Sequence, residues 1–276
     1  MKDAAAVMGK GITRRPAAAW VFALVLGALS VAHPVSAAEV RVMISAGFFG
    51  AYSELAPLFE TATGHTLVTT RGPSMGDSPE AIPTRLARGE PADVVILDGG
   101  AADELGRRGM TRPTSKVNLA ESKIGMVVRE GAPKPDISTV DALKRTLLAA
   151  RSVGYSDSGS GTYLSTTLFP QLGIAEQMAA KSRKVRGPPS GEPVAAVVAR
   201  GELEIGFQQV AELIHVPGVT FVGTIPAAVQ PPTFFSGAIT TKSAQPDAAA
   251  ALLRFLTSPA AAPAISKAGL TPVTAR

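Results

Sequence analysis

The stretch EVRVMISAGFFGAYSELAPLFE, residues 39–60, contains the pattern that decides the fold class. Its first part, residues 39–45, alternates apolar and polar side chains and is rich in Val, which predicts a β-strand. Its second part has apolar residues at helical spacing, which predicts a helix over residues 49–61 with Gly64 as its C-cap. The strand therefore passes into the helix through a short loop, residues 45–48.

The same alternation of strand and helix continues along the chain. The predicted strands are 66–70, 92–97, 123–129, 152–156, 204–207, 221–223 and 236–240, and the predicted helices are 78–88, 101–108, 139–150, 162–171, 193–200, 247–256 and a short one after Pro259. This order predicts an α/β chain with parallel-rich sheets flanked by helices. We expect two lobes, residues 39–122 with 236–276 and residues 123–235, with the chain crossing near Lys123 and returning near Ser236.

The first 38 residues have the three parts of a secretory signal. A charged segment, residues 10–15, precedes the apolar run AAAWVFALVLGALSVA, residues 17–32, and small residues follow at 35–38. The alternative is a membrane anchor, but the run is shorter than the roughly 20 residues that span a bilayer. The pattern predicts cleavage near Ala37 or Ala38, a periplasmic location and no stable membrane anchor.

Composition excludes several classes of protein. The chain has no cysteine, which excludes disulfides and thiolate chemistry. The formal net charge is +5, but four basic residues and one acidic residue lie in the first 38 positions, which leaves +2 on the rest. Because these charges are scattered and only 5% of residues are aromatic, we expect no nucleic-acid partner.

Three loops that are rich in small residues each lie between a predicted strand and a predicted helix. They are residues 45–48 (SAGF), 71–76 (RGPSMG) and 156–163 (SDSGSGTY), and Ser190 to Glu192 form a fourth candidate. Each loop offers backbone N–H groups and hydroxyls at a helix N-terminus, where an anion is attracted. The alternative is that each loop only caps its helix. Several such loops in one α/β chain favour a shared ligand cleft.

Other kinds of site have little support in the sequence. After the leader, the only histidines are His65 and His215, and two isolated histidines do not make a metal site. The chain has no Gly-x-Ser-x-Gly motif around Ser160, no phosphate-binding loop and no dinucleotide fingerprint. We therefore expect neither a metal nor a cofactor.

The chain from Glu39 onward resembles the molybdate-type solute-binding proteins of ABC importers. The resemblance rests on residues 40–60 together with GPSMGDSPEAIPTRLARGEPADVVIL (72–97), SDSGSGTY (156–163), VVARGELEIGFQQVAEL (197–213) and ALLRFLTSPAAAPAI (251–265). It implies the two-lobed periplasmic-binding-protein fold of type II, with a ligand cleft between the lobes. It also implies a monomer that binds a small multivalent anion and partners an ABC permease.

Residues of the loops and of the resemblance make up the candidate ligand site. The family's molybdate binders use hydroxyls and backbone amides at positions that match Gly47, Ser74 and Ser160, and Gln209 lies near a position where tyrosine is usual. Arg71 beside Gly72 is a candidate bidentate partner for a ligand carboxylate, the alternative being a surface arginine. The full candidate set is Ser45, Gly47, Phe48, Arg71, Ser74, Met75, Gly76, Ser158, Ser160, Gly161, Thr162, Tyr163 and Gln209.

Residues 72–83 also resemble a divergent branch of this family, the periplasmic aconitate isomerases. That branch implies an enzyme that interconverts cis- and trans-aconitate, which requires a proton to leave one carbon and return at another. Tyr163, Glu192 and Asp77 are candidate acid or base groups, although the catalytic residue stays unassigned. The sequence therefore leaves two hypotheses open: a receptor that captures an anion for import, and an isomerase on the same fold.

Overall fold

The computed structural model of the chain describes residues 37–273, so most of the predicted leader and the last three residues lie outside the described part. The strands are β1 (Glu39–Ile44), β2 (Thr66–Arg71), β3 (Val94–Asp98), β4 (Val117–Ser122), β5 (Ile124–Arg129), β6 (Val153–Ser156), β7 (Ser182–Val185), β8 (Ile205–Gln209), β9 (Val219–Thr224), β10 (Thr233–Ile239) and β11 (Thr271–Pro272). The helices are α1 (Ala46–Thr63), α2 (Ile82–Ala87), α3 (Gly99–Arg107), α4 (Val140–Ala149), α5 (Gly159–Tyr163), α6 (Phe169–Gln171), α7 (Ala175–Ala179), α8 (Val194–Ala199), α9 (Pro246–Leu256) and α10 (Ala262–Lys267).

The strands form two sheets, which confirms the predicted α/β class. The first sheet has the order β11-β4-β10-β3-β1-β2, and the second has the order β7-β6-β8-β5-β9. Both sheets are mixed: β1 pairs in parallel with β2 and β3, and β6 pairs in parallel with β7 and β8, whereas β4, β5, β9, β10 and β11 pair antiparallel. The chain passes from the first sheet to the second between β4 and β5 and returns between β9 and β10.

The segment that opens the chain folds as its pattern predicts. Helix α1 buries Phe48, Tyr52, Leu55 and Phe59 at helical spacing against the first sheet. The helix ends at Gly64, which adopts a left-handed conformation with φ of 73°. Packing of one face of α1 on the sheet therefore places its first residues at the carboxyl end of β1.

Helix α2 differs from its prediction. The predicted helix begins at residue 78, and Pro83 is expected to bend it or to shorten its regular part. In the structure α2 begins at Ile82, and Pro83 lies in its first turn. Proline lacks the N–H that a helix interior requires, so it fits only at the start of a helix. Residues 72–81 consequently form a loop beside the cavity described below.

Strands β4 and β7 were not predicted from the sequence. The burial of β4 follows no simple period of two, because it lies between β10 and β11 and a bulge shifts its register opposite Phe235 and Ser236. Strand β7 exposes two of its four residues at the edge of the second sheet. Pairing with neighbouring strands, which the local sequence does not specify, forms both elements.

Within residues 37–273, no single helix is long and apolar enough to cross a membrane. Helix α9 and the following helical segment, residues 259–267, pass that test only as a pair bent by 60°. Leu252, Leu253 and Leu256 of α9 are buried in the core of the first sheet.

Candidate functional site

A small cavity lies where the carboxyl ends of β1, β2, β3, β6 and β8 meet. Its volume is about 30 Å³, room for about two water molecules. Parallel strands bring their following loops to one edge, which is the usual ligand position in α/β folds. The lining residues are Ser45, Ala46, Gly47, Gly72, Pro73, Ser74, Asp98, Ser156, Asp157, Ser158, Gly159, Ser160, Gly187, Pro188, Gln208, Gln209, Glu212 and Phe235.

Larger grooves adjoin this cavity, and two of them contain predicted site residues. One has a volume of about 240 Å³ and shares Asp98, Ser160 and Gln209 with the cavity. The other has a volume of about 530 Å³, shares Asp157 and is bordered by Arg186. The cavity therefore borders open space on more than one side.

The structure brings most of the predicted site residues to this region. Ser45, Gly47, Ser74, Ser158, Ser160 and Gln209 line the cavity itself. Met75, Gly76, Thr162 and Tyr163 line the adjoining grooves. The three loops that the sequence singles out thus lie around one space.

Three predicted residues have other positions. Phe48 is fully buried in the core of the first sheet. Arg71 lies over the ring of Phe49, 4.2 Å from its centroid, and does not line the cavity. A Cβ atom on Gly161 would lie 1.7 Å from the carbonyl oxygen of Ser156, so this glycine serves close backbone packing.

The serine hydroxyls of the cavity differ in their partners. Ser74 Oγ accepts a hydrogen bond from the backbone N–H of Asp98 at 3.0 Å, and the hydroxyls of Ser156 and Ser160 lie 3.0 Å apart. Ser45 is 3% exposed, and its Oγ has no hydrogen-bond partner within the described residues. A buried polar group without a partner is costly, so the Ser45 hydroxyl is available to a ligand.

Asp98 is a cavity residue that the sequence analysis missed. It caps α3, where its Oδ1 accepts hydrogen bonds from the N–H groups of Gly100 and Ala101. Burial raises the pKa of this carboxyl above its usual value, although the two N–H bonds act in the opposite direction. Its position at the end of a buried strand, before two glycines, was a signal in the sequence.

Glu212 is the second missed acidic residue, and it lies on the turn that follows β8. Its carboxyl lines the cavity, and its Oε2 accepts a hydrogen bond from Gln208 Nε2 at 2.6 Å. Burial raises the pKa of Glu212 to about 7, and the hydrogen bond from Gln208 and the charge of Arg71 offset part of this rise. A carboxyl with such a pKa changes between acid and base near neutral pH.

The acid or base candidates named from the sequence have less suitable surroundings. Tyr163 donates its hydroxyl proton to the carbonyl oxygen of Val229 at 2.7 Å. Glu192 is paired with Arg200 in a partly exposed salt bridge, which lowers the pKa of Glu192. Asp77 borders the 530 Å³ groove and not the cavity.

Gly47 and Phe235 form a tight contact in the cavity wall. A Cβ atom on Gly47 would lie 2.1 Å from Cζ of the Phe235 ring. Residue 47 therefore cannot carry a side chain while this ring stays in place. The result is an apolar surface beside the hydroxyls of the cavity.

Metal ligands are not clustered in the described part of the chain. Among residues 37–273, no three His, Asp or Glu side chains are placed to hold a metal ion together.

Comparison with known proteins identifies a matching protein family and several similar proteins. The family model described as bacterial extracellular solute-binding protein matches residues 40–271. The chain is 51% identical to an aconitate isomerase from a Pseudomonas species over 92% of this chain and 97% of that protein. It is 27% identical to the molybdate-binding protein ModA of Azotobacter vinelandii over 88% of this chain and 94% of the relative. The solved periplasmic molybdate-binding protein of Azotobacter vinelandii superposes with a TM-score of 0.66 at 22% identity, covering 84% of this chain and 98% of that one.

Proposed function

The chain belongs to the bacterial extracellular solute-binding protein family, and we propose that within this family it is an aconitate isomerase. The observation that carries the proposal is the carboxyl of Glu212, which lines the cavity and has a pKa of about 7. Capture of an anion requires no such group, whereas proton transfer does. The relative named aconitate isomerase, at 51% identity, supports the same activity.

The reaction on this site is a proton shift within the substrate. Aconitate has a CH₂ group and a C=CH group on either side of a carbon that carries a carboxylate. Glu212, when ionised, removes a proton from the CH₂ carbon, the double bond moves toward that carbon, and the freed electron pair is shared with a carboxylate. Glu212 then returns the proton to the former CH carbon, which yields the other isomer with no net gain or loss of atoms.

Substrate carboxylates are held by groups that carry no full positive charge. Ser45, Ser74 and Ser158 offer hydroxyls around the cavity, and the N-terminus of α1 lies beside Ser45. The proposed ligand residues are the predicted ones that line the cavity, together with Asp98 and Glu212.

The cavity is smaller than the proposed substrate, so its walls must separate to admit aconitate. We assign the two walls to lobes of residues 39–122 with 236–276 and residues 123–235, as the sequence predicts. Closure of the lobes would exclude water from the reacting carbons. Family membership indicates a periplasmic location, and we place the cleavage of the leader near Ala37 or Ala38 and take the mature protein to be a monomer.

A receptor for an ABC importer is the second candidate function. The unpartnered hydroxyl of Ser45 and the molybdate-binding relatives favour it. It requires tight binding of a small anion and no chemical change. A permease partner belongs to this alternative.

The test follows both isomers of aconitate by proton NMR in D₂O with the mature chain. Conversion from either isomer to one common ratio is expected. The share of deuterium that enters the carbon chain measures how often the proton on Glu212 exchanges with solvent before it returns to the substrate. Absence of conversion, with thermal stabilisation by molybdate, tungstate or sulfate, would replace the isomerase by the receptor.

A further inference from the structure

The side chain of Gln208 connects helix α8 to the carboxyl of Glu212. Gln208 is 2% exposed. Its Oε1 accepts a hydrogen bond from the backbone N–H of Val194 at 3.0 Å, and its Nε2 donates to Glu212 Oε2 at 2.6 Å. Both ends of this buried amide are therefore engaged.

The partners determine how the amide is oriented. A backbone N–H can only donate, so the end of Gln208 that faces Val194 must be the oxygen. The end that faces Glu212 must then be the NH₂ group, which also can only donate. Glu212 Oε2 has to act as an acceptor in both charge states of the carboxyl.

This arrangement restricts where Glu212 can carry a proton. The carbonyl oxygen of a neutral carboxyl is a better acceptor than its hydroxyl oxygen, so the bond from Gln208 favours Oε2 as the carbonyl oxygen and places the proton on Oε1. No protein group among residues 37–273 forms a hydrogen bond with Oε1. The oxygen that can exchange a proton is thus the one left free for a substrate.

We infer that Gln208 is a positioning residue that engages Oε2 of Glu212 and so makes Oε1 the oxygen that transfers the proton. This inference rests on the proposed isomerase function for its catalytic meaning. It assigns a role to a residue that touches Glu212 and is not required to touch the reacting carbons.

Other charged groups also shift the pKa of Glu212, so the test variants leave these groups unchanged. Arg71 at the end of β2 favours the ionised carboxyl, and Asp157 after β6 favours the neutral one. Asp98 lines the same cavity from the first sheet. Because Gln208 donates to the ionised form, its removal should raise the pKa of Glu212.

The test measures the titration of Glu212 directly by carbon NMR of glutamate-labelled protein without substrate, identifying its signal with Glu212→Gln. Gln208→Met removes both hydrogen bonds at similar length. Gln208→Glu keeps an acceptor for Val194 and places a second carboxyl against Glu212. The control is Gln230→Met, since Gln230 bridges the backbone of Ile124 and Ile225 and contacts no carboxyl.

We expect both Gln208 variants to raise the pH at the titration midpoint of the Glu212 carboxyl by about one pH unit or more, and the control to leave it unchanged. The acid limb of the pH profile of kcat/KM should move with it, with a smaller change in KM. An unchanged midpoint in folded Gln208→Glu would overturn the inference. This titration needs no turnover. An inactive wild type would therefore reject the isomerase function, whereas the titration would still test the hydrogen bond between Gln208 and Glu212.

Discussion

The two walls of the cavity come from different sheets and carry different chemistry. The wall of the first sheet offers the free hydroxyl of Ser45, the capping carboxylate of Asp98 and the Phe235 ring. The wall of the second sheet offers Glu212 with the amide that orients it. In the first wall the carboxyl is engaged by two backbone N–H groups, whereas in the second it is engaged by one side chain.

This difference explains why the two carboxyls are suited to different tasks. Two N–H bonds at a helix N-terminus favour the ionised form of Asp98 and partly oppose the effect of burial. Burial raises the pKa of Glu212 to about 7, although the hydrogen bond from Gln208 and the charge of Arg71 oppose this rise. We therefore expect the first wall to determine binding and shape, and the second wall to carry proton transfer.

Removal of the base from the second wall should have the largest effect on activity. Glu212→Gln keeps the size of the side chain and removes its proton exchange, so kcat should fall by about 10³-fold. The measurement is initial rates with both isomers across pH, where wild-type kcat/KM should rise as the pH increases through about 7, because the base must be ionised.

The matched control for this change is Glu192→Gln. Glu192 is 42% exposed and paired with Arg200, so its loss should change kcat by no more than about twofold. Equal losses in both variants would contradict a special role for Glu212.

The raised pKa of Glu212 also predicts a pH dependence of stability. Between pH 4.5 and about 7 the native state holds this proton more tightly than the unfolded chain. The free energy of unfolding contributed by Glu212 therefore falls as the pH rises through this window, by up to about 3 kcal/mol. Urea unfolding at several pH values should show that the free energy of unfolding of Glu212→Gln increases relative to that of the wild type as the pH rises. A constant difference would show that Glu212 titrates at its ordinary value.

The shape of the first wall is tested at Gly47. In Gly47→Ala the new Cβ would lie 2.1 Å from the Phe235 ring, which lines the cavity and must move. We expect a loss of about 1–3 kcal/mol in stability, measured by urea unfolding, and a higher KM. The control is Gly50→Ala on the same helix, where the nearest atom lies 3.8 Å away. That change should stabilise the protein by up to about 1 kcal/mol and leave KM unchanged. If Gly47→Ala behaved like Gly50→Ala, the contact would not shape the cavity.

The smallest effect is expected where the two walls meet at the surface. Arg186 donates to Glu80 at 3.0 Å, and both side chains are partly exposed. Such a pair contributes less than about 1 kcal/mol, so Glu80→Gln should weaken ligand binding by no more than about threefold. Calorimetric titration at low and high salt would measure this. Glu54→Gln, which breaks the exposed pair with Lys267, should leave affinity unchanged. A tenfold loss of ligand affinity in Glu80→Gln alone would contradict this expectation and show that the ion pair contributes substantially to binding.

Much of the fold was predictable because it depends on local periodicity. The run at residues 92–97 is apolar except for Asp93, and β3, which begins at Val94, is buried on both faces. Strand β4 was missed because its formation depends on its neighbours β10 and β11. The helix predicted to begin at residue 78 begins at Ile82 instead, because Pro83 fits only in the first turn of a helix.

The α/β class, the loops around the cavity and the likeness to solute-binding proteins follow from the amino-acid sequence, because strand periodicity, glycines and hydroxyl residues are local features of the chain. Only the tertiary structure decided that Glu212 and Asp98 reach one cavity, that Arg71 lies over Phe49, and that Gln208 orients a carboxyl. The physical reason is that the pKa of a carboxyl depends on burial and on partners distant in sequence, and no local pattern encodes these.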